Sequence, residues 1–209
     1  MIIKICGMQR PEDIDYVNEF HPDLAGFIFA EGRRRRITPG EAARLRRRLA
    51  PDIRAVGVFV NEDVRRLPGA AELAGMDMIQ LHGSESEAYI RELKEMTPLP
   101  VIKAFRIETE ADIARAAASP ADYILLDSGQ GGTGRAFDWQ LAASARRDYF
   151  LAGGLTPDNV AAAVAALRPA GVDVSSGVET AGRKDRDKIR RFIQEARAAA
   201  EGPADPALH

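Results

Sequence analysis

Ile53-Arg54-Ala55-Val56-Gly57-Val58-Phe59-Val60 and Val101-Ile102-Lys103-Ala104-Phe105 are the runs on which the fold turns. Both are largely apolar at odd and even positions alike, so a strand built from either would be covered on two faces. A sheet with one face in water alternates apolar and polar residues, whereas a parallel sheet packed between other layers does not. Similar short runs are centred near Ile3, Ala25, Val56, Met78, Ile102, Ile124, Phe150 and Asp173, spaced 22 to 31 residues apart. Each interval has room for one strand, one short helix and two tight loops.

Helix signals fall between the runs. Thr38-Pro39-Gly40-Glu41 combines a capping threonine, a proline in the first turn and a reciprocal glutamate. Ser84 to Glu87 and Thr109 to Asp112 carry related signals, and Thr156-Pro157 is expected to open another helix. Asn61-Glu62-Asp63 reads as the start of a third helix that Pro68-Gly69 then interrupts, leaving it short or broken. The alanine-rich Val160 to Leu167 segment suits a tightly packed helix. Eight such strand-helix units close most economically as a single-domain α/β structure, a compact (β/α)8 TIM barrel over residues 1–200. Residues 201–209, with two prolines and little to bury, are expected to form a flexible tail. With 209 residues the chain is short for a barrel of typically about 250, so its loops must be minimal. The rival is a doubly wound open sheet. Its dinucleotide-binding form wants a glycine fingerprint after the first strand, and Cys6-Gly7-Met8-Gln9-Arg10 is nothing like one.

Lys plus Arg number 29 against 31 Asp plus Glu, a net charge of -2 that argues against a general nucleic-acid coat. No run of about 18 apolar residues is present to span a membrane. The opening Met1-Ile2-Ile3-Lys4 lacks a basic leader followed by a long apolar stretch, so a cytoplasmic location is expected. One cysteine and three histidines make a structural zinc site improbable and leave no pair for an intrachain disulfide.

In a barrel, residues just beyond the carboxyl ends of the strands surround one mouth. Here they are Cys6, the Gly32 to Arg36 loop, Asn61, His82-Gly83, Arg106, Asp127, Gly131-Gly132-Thr133-Gly134, Gly153-Gly154 and Ser175-Ser176-Gly177. Polar and glycine residues gathered at one end point to a small-molecule site. The glycine-rich turns after strands six to eight can bring backbone N–H groups towards one anion, with Gly154, Ser176 and Gly177 best placed for phosphate. Cys6 reads either as a small buried hydrophobe or as a general base at the mouth. Asp127 ends the apolar run Tyr123-Ile124-Leu125-Leu126; it is either an acid-base group or an acceptor for backbone groups of the glycine loop. The Arg33-Arg34-Arg35-Arg36 cluster reads as a solvated run, a phosphate-backbone contact or a fork for a substrate carboxylate, with at most one or two members functional. His82 reads as a wall residue in preference to an acid-base group.

Taken in order, Lys4-Ile5-Cys6-Gly7, Gly26-Phe27-Ile28-Phe29, Val58-Phe59-Val60-Asn61, Gln80-Leu81-His82-Gly83 and Leu126-Asp127 resemble the phosphoribosylanthranilate isomerase family. So do Gly131 to Gly134 with Phe137-Asp138-Trp139, Leu151-Ala152-Gly153-Gly154-Leu155, Asp173-Val174-Ser175-Ser176-Gly177-Val178-Glu179 and Lys184-Asp185. The resemblance implies an Amadori rearrangement in tryptophan biosynthesis, with Asp127 as general acid and Cys6 as general base. It implies Arg35 for the anthranilate carboxylate, Gly132, Gly153, Gly154, Ser176 and Gly177 for phosphate, and Lys4 and His82 as further pocket residues. It implies no metal or redox cofactor, a phosphorylated small-molecule substrate, no nucleic-acid or membrane partner, and a monomer or homodimer. The family's usual Ser-Pro before the arginine is Arg33-Arg34 here, and Arg36 replaces the aromatic that often follows. A related sugar isomerase of histidine biosynthesis, with two aspartates and two phosphate sites, is the nearest alternative. A non-enzymatic RNA- or protein-binding role would rest on the arginine run alone.

Overall fold

The computed structural model describes residues 1–127 and 139–202. Eight parallel strands form a closed barrel in chain order: β1 (Ile2–Cys6), β2 (Leu24–Ile28), β3 (Arg54–Phe59), β4 (Met78–Leu81), β5 (Val101–Arg106), β6 (Tyr123–Asp127), β7 (Tyr149–Ala152) and β8 (Gly171–Val174). Closure is made by β1 against β8, where Lys4 lies opposite Asp173 and Ile5 opposite Val174. The helices are α1 (Pro11–Phe20), α2 (Pro39–Arg46), α3 (Leu67–Ala74), α4 (Glu87–Met96), α5 (Glu110–Ala118), α6 (Trp139–Ala143), α7 (Val160–Leu167) and α8 (Arg186–Glu201). Between β8 and α8 lie a 3-10 turn (Ser176–Val178) and a two-stranded hairpin, β9 (Glu179–Thr180) with β10 (Arg183–Lys184). Among the described residues no helix is long and apolar enough to cross a membrane.

The strand expectations hold at all eight centres, and the barrel is the architecture found. Helix starts are more varied. Thr38 accepts from the Glu41 N–H while the Glu41 carboxylate takes the Thr38 N–H, and Thr109 with Asp112 does the same. The fourth helix is capped by Ser86, whose Oγ accepts from Tyr89 N–H; Ser84 instead donates to Asn61 Oδ1. Pro68 does not interrupt a helix begun at Asn61. It lies in the first turn of α3, where its missing N–H costs nothing, and the segment before it forms turns. Thr156-Pro157 likewise forms a turn before α7, whose cap is Asn159. Glu201 closes α8, so that end of the expected tail is helical; residues 203–209 lie outside the described residues.

Side-chain alternation along each strand creates two cores. One face, including Ile3, Ile5, Phe27, Phe59, Leu81 and Leu126, packs against the helices. Full burial of each such side chain contributes about 2 kcal/mol. The other face fills the barrel with Leu24, Val56, Met78, Ile102, Leu125 and Phe150. Above this apolar plug the inward positions change character. A strand returns to the same face every second residue, so Ile2 is followed inward by Lys4 and Cys6, Met78 by Gln80 and His82, and Leu125 by Asp127. That change from apolar to polar, at the carboxyl ends, builds the site.

Candidate active site

A cavity of 220 Å³ opens at this end. Its lining includes Cys6, Arg35, His82, Asp127, Gly153, Gly154, Ser176 and Gly177. Every described member of the expected catalytic, carboxylate and phosphate sets is therefore brought together. Gly132 lies outside the described residues. Lys4 is the exception: it is fully buried and does not line the cavity. Its stem continues the barrel interior, and its Nζ is held 2.9 Å from Asp173 Oδ1 beneath the floor. A larger groove of 540 Å³ near Met1, Arg168 and Gly202 is lined mainly by alanine and other small or apolar residues, without a comparable set of acid-base groups.

Cys6 is 5% exposed, and the buried Lys4 and Asp173 form an ion pair next to it. Burial pushes the thiol above its ordinary pKa; the Lys4 ammonium pulls the other way, and Asp173 adds to the rise. Burial also opposes the Lys4 charge, but Asp173 and Cys6 together hold its pKa above the usual value. The free site thus keeps the proton on sulfur beside a fixed ammonium. A thiolate formed there is strongly basic and has a cation in reach. Room for this group comes from Gly26 on the adjacent strand. A Cβ at that position would lie 2.7 Å from Cys6 Sγ and 3.1 Å from Lys4 Nζ.

Across the mouth, His82 Nε2 is 3.1 Å from Asp127 Oδ2, and His82 Nδ1 is 3.0 Å from Gln80 Nε2. With the Gln80 amide as donor, the ring N–H is on Nε2 and is shared with Asp127. His82 lines the cavity and also touches the candidate acid. Gln80 Oε1 is buried without a hydrogen-bond partner among the described residues. Such an atom ordinarily costs about 1–3 kcal/mol.

The phosphate candidates lie where the β7 and β8 loops meet. Gly153 and Gly154 have φ of +88° and +66°. Gly177 passes so close to the β7 loop that a Cβ would stand 1.8 Å from Leu155 O. Only glycine allows these two backbones to approach in this way.

The arginine cluster divides. Arg33, Arg34 and Arg36 are exposed, whereas Arg35 reaches the cavity. Arg35 Nε and Nη2 both donate to Glu179, the latter at 2.8 Å. Arg34 also donates to Glu179, and Lys184 Nζ lies 3.0 Å from Glu179 Oε1. Burial pushes the Glu179 carboxyl up, but Arg35, Lys184 and Arg34 hold it down to about 2. Sequence reasoning gave no individual role to Gln80, Asp173, Glu179 or Lys184. For Gln80 and Asp173 a signal existed: each sits two residues before a mouth residue, His82 or Ser175, on the same face of its strand.

The family profile described as N-(5'-phosphoribosyl)anthranilate (PRA) isomerase matches residues 3–195. A protein of that name from Acetivibrio thermocellus is 44% identical over 213 residues, covering 96% of this chain and 97% of its own. Another, from Desulforudis audaxviator, is 46% identical over 206 residues, with 95% and 98% covered. Among solved structures, phosphoribosyl anthranilate isomerase from Thermotoga maritima superposes with a TM-score of 0.87 at 40% identity, covering 94% of this chain and 99% of that one. A crystal structure of such an enzyme in complex with reduced 1-(o-carboxyphenylamino)-1-deoxyribulose 5-phosphate gives a TM-score of 0.84 at 38% identity, with the same coverage.

Proposed function

Because the chain belongs to the phosphoribosylanthranilate isomerase family and so catalyses the Amadori rearrangement of N-(5-phosphoribosyl)anthranilate, we propose that Cys6 and Asp127 carry its two proton transfers. The observation behind this reading is that the thiol and the carboxylate line one cavity with Gly153, Gly154, Ser176 and Gly177. Those loops take the 5'-phosphate, with Gly132 from the sixth strand's loop as a further donor. Asp127, in its acid form, protonates the furanose ring oxygen, and the C1–O bond breaks to leave a protonated Schiff base. His82 lies beside it as a hydrogen-bonding partner. The iminium acidifies the ribose C2 proton, which Cys6 removes as thiolate once its own thiol proton has passed to solvent. The enolamine formed tautomerises to the ketone, 1-(2-carboxyphenylamino)-1-deoxyribulose 5-phosphate. Lys4, from below, lowers the cost of the thiolate. Arg35 takes the anthranilate carboxylate as a planar fork.

The wider setting follows the same reading: a cytoplasmic enzyme working as a monomer or homodimer on a small phosphorylated substrate, apart from nucleic acid and membranes. The test is turnover of freshly generated phosphoribosylanthranilate, followed as loss of its fluorescence against an uncatalysed control. Cys6→Ser and Asp127→Asn should each reduce kcat by at least about 100-fold, the usual scale for a lost acid or base, while inorganic phosphate still protects the fold against heat. Near-normal turnover in either variant removes that residue from the mechanism.

A further inference from the structure

The clamp on Arg35 has a directional consequence. A guanidinium has five N–H groups arranged on distinct edges. Glu179 takes the side edge formed by Nε and Nη2, and the Nη1–Nη2 edge is the one left for a second carboxylate. Glu179 does not line the cavity with Arg35. It lines a neighbouring one of 260 Å³, with its side chain 6% exposed. It therefore stands behind the arginine as seen from the substrate space. Glu179 is itself fixed. Lys184 holds it while donating to Ser175 O at 2.8 Å, and Arg34 holds it while donating to Gly182 O at 2.7 Å. One carboxylate thus ties the loop after β2 to the hairpin after β8.

We propose that Glu179 is a positioning residue for substrate recognition: by clamping the side edge of Arg35 it presents the other edge to the substrate carboxylate, with Arg34 as the anchor that keeps Glu179 in place. This rests on the reading of Arg35 as the carboxylate-binding group. Three cations on one carboxylate leave a positive excess, so the clamp orients Arg35 without cancelling its attraction for a second anion. An unclamped arginine would have to give up its rotamer freedom at each binding event. Arg34, one of the residues that departs from the family's Ser-Pro pattern, gains a defined task.

Three proteins and two substrates test the proposal. Wild type, Glu179→Gln and Arg35→Gln are assayed for kcat and KM on phosphoribosylanthranilate and on the equivalent adduct of aniline, which lacks the carboxylate. Glu179→Gln should raise KM for the carboxylated substrate about tenfold, the scale of one side chain's ordering cost, with kcat nearly kept and the aniline adduct handled as by wild type. Equal losses on both substrates would make Glu179 a structural residue only and overturn the proposal, as would an unchanged KM. Arg35→Gln separates the two levels. If it impairs both adducts equally relative to wild type, the reading of Arg35 fails. If it impairs the carboxylated adduct alone while Glu179→Gln shows no such selective loss, only the inference about Glu179 fails.

Discussion

Replacing Glu179 with glutamine should change stability in a pH-dependent way whose size follows from its surroundings. The folded carboxyl is held at about 2 against an ordinary 4.5, and each unit is worth about 1.4 kcal/mol. The ionised carboxylate therefore contributes up to roughly 3 kcal/mol at neutral pH. A depressed carboxyl gives its full stabilisation above the unfolded-state pKa and loses it as pH falls towards the folded-state value. Between pH 7 and pH 3, linkage removes about 2 kcal/mol of the contribution. Urea unfolding of wild type and Glu179→Gln at pH 7, 5, 4 and 3 should show a stability gap that is widest at pH 7 and narrows by about 2 kcal/mol at pH 3. A gap of constant width across that range would refute the reasoning, since it would mean that ionisation of Glu179 contributes nothing that the amide does not.

Two further substitutions probe packing. Gly177→Ala places a methyl 1.8 Å from Leu155 O, so the β7 and β8 loops must part; protection of the protein by inorganic phosphate in thermal melts should be lost, and retained protection would remove that close approach from the phosphate site. Tyr149→Phe should stabilise the fold by about 1 kcal/mol in urea unfolding, because the hydroxyl is buried with no hydrogen-bond partner among the described residues; a destabilised variant would show that the hydroxyl is satisfied in solution.

The barrel was legible because its strands are apolar on both faces and recur at a length that admits one helix each, as Ile53 to Val60 and Val101 to Phe105 illustrate. Exact helix starts were less so. Pro68 is as compatible with opening a helix as with breaking one, and only the packing of α3 decides between them. Cys6, His82 and Asp127 could be placed at the mouth from strand ends alone. Their partners could not, since Lys4–Asp173 and Arg35–Glu179 join residues 169 and 144 positions apart. Strand alternation identifies which residues face inward, but not which inward residue on another strand they meet. For Arg33 to Arg36, four like charges in a row contain nothing that singles out the one turned into the cavity; that depends on where the hairpin after β8 delivers Glu179.

The closure of β8 on β1 also determines when in the life of the chain the site exists. Ser175 Oγ donates to Cys6 O, and Lys4 meets Asp173, both across 169 positions. During synthesis Cys6 and Asp127 both emerge before Asp173 to Gly177, so both proton-transfer candidates are present on a chain that still lacks a cavity floor and half of its phosphate cradle. An incomplete chain leaves the strand edges of β1 and β7 open to pairing with other molecules. Docking of the final strand removes both edges in one event and completes the site in the same event, so a truncated translation product is both inert and exposed to aggregation and proteolysis.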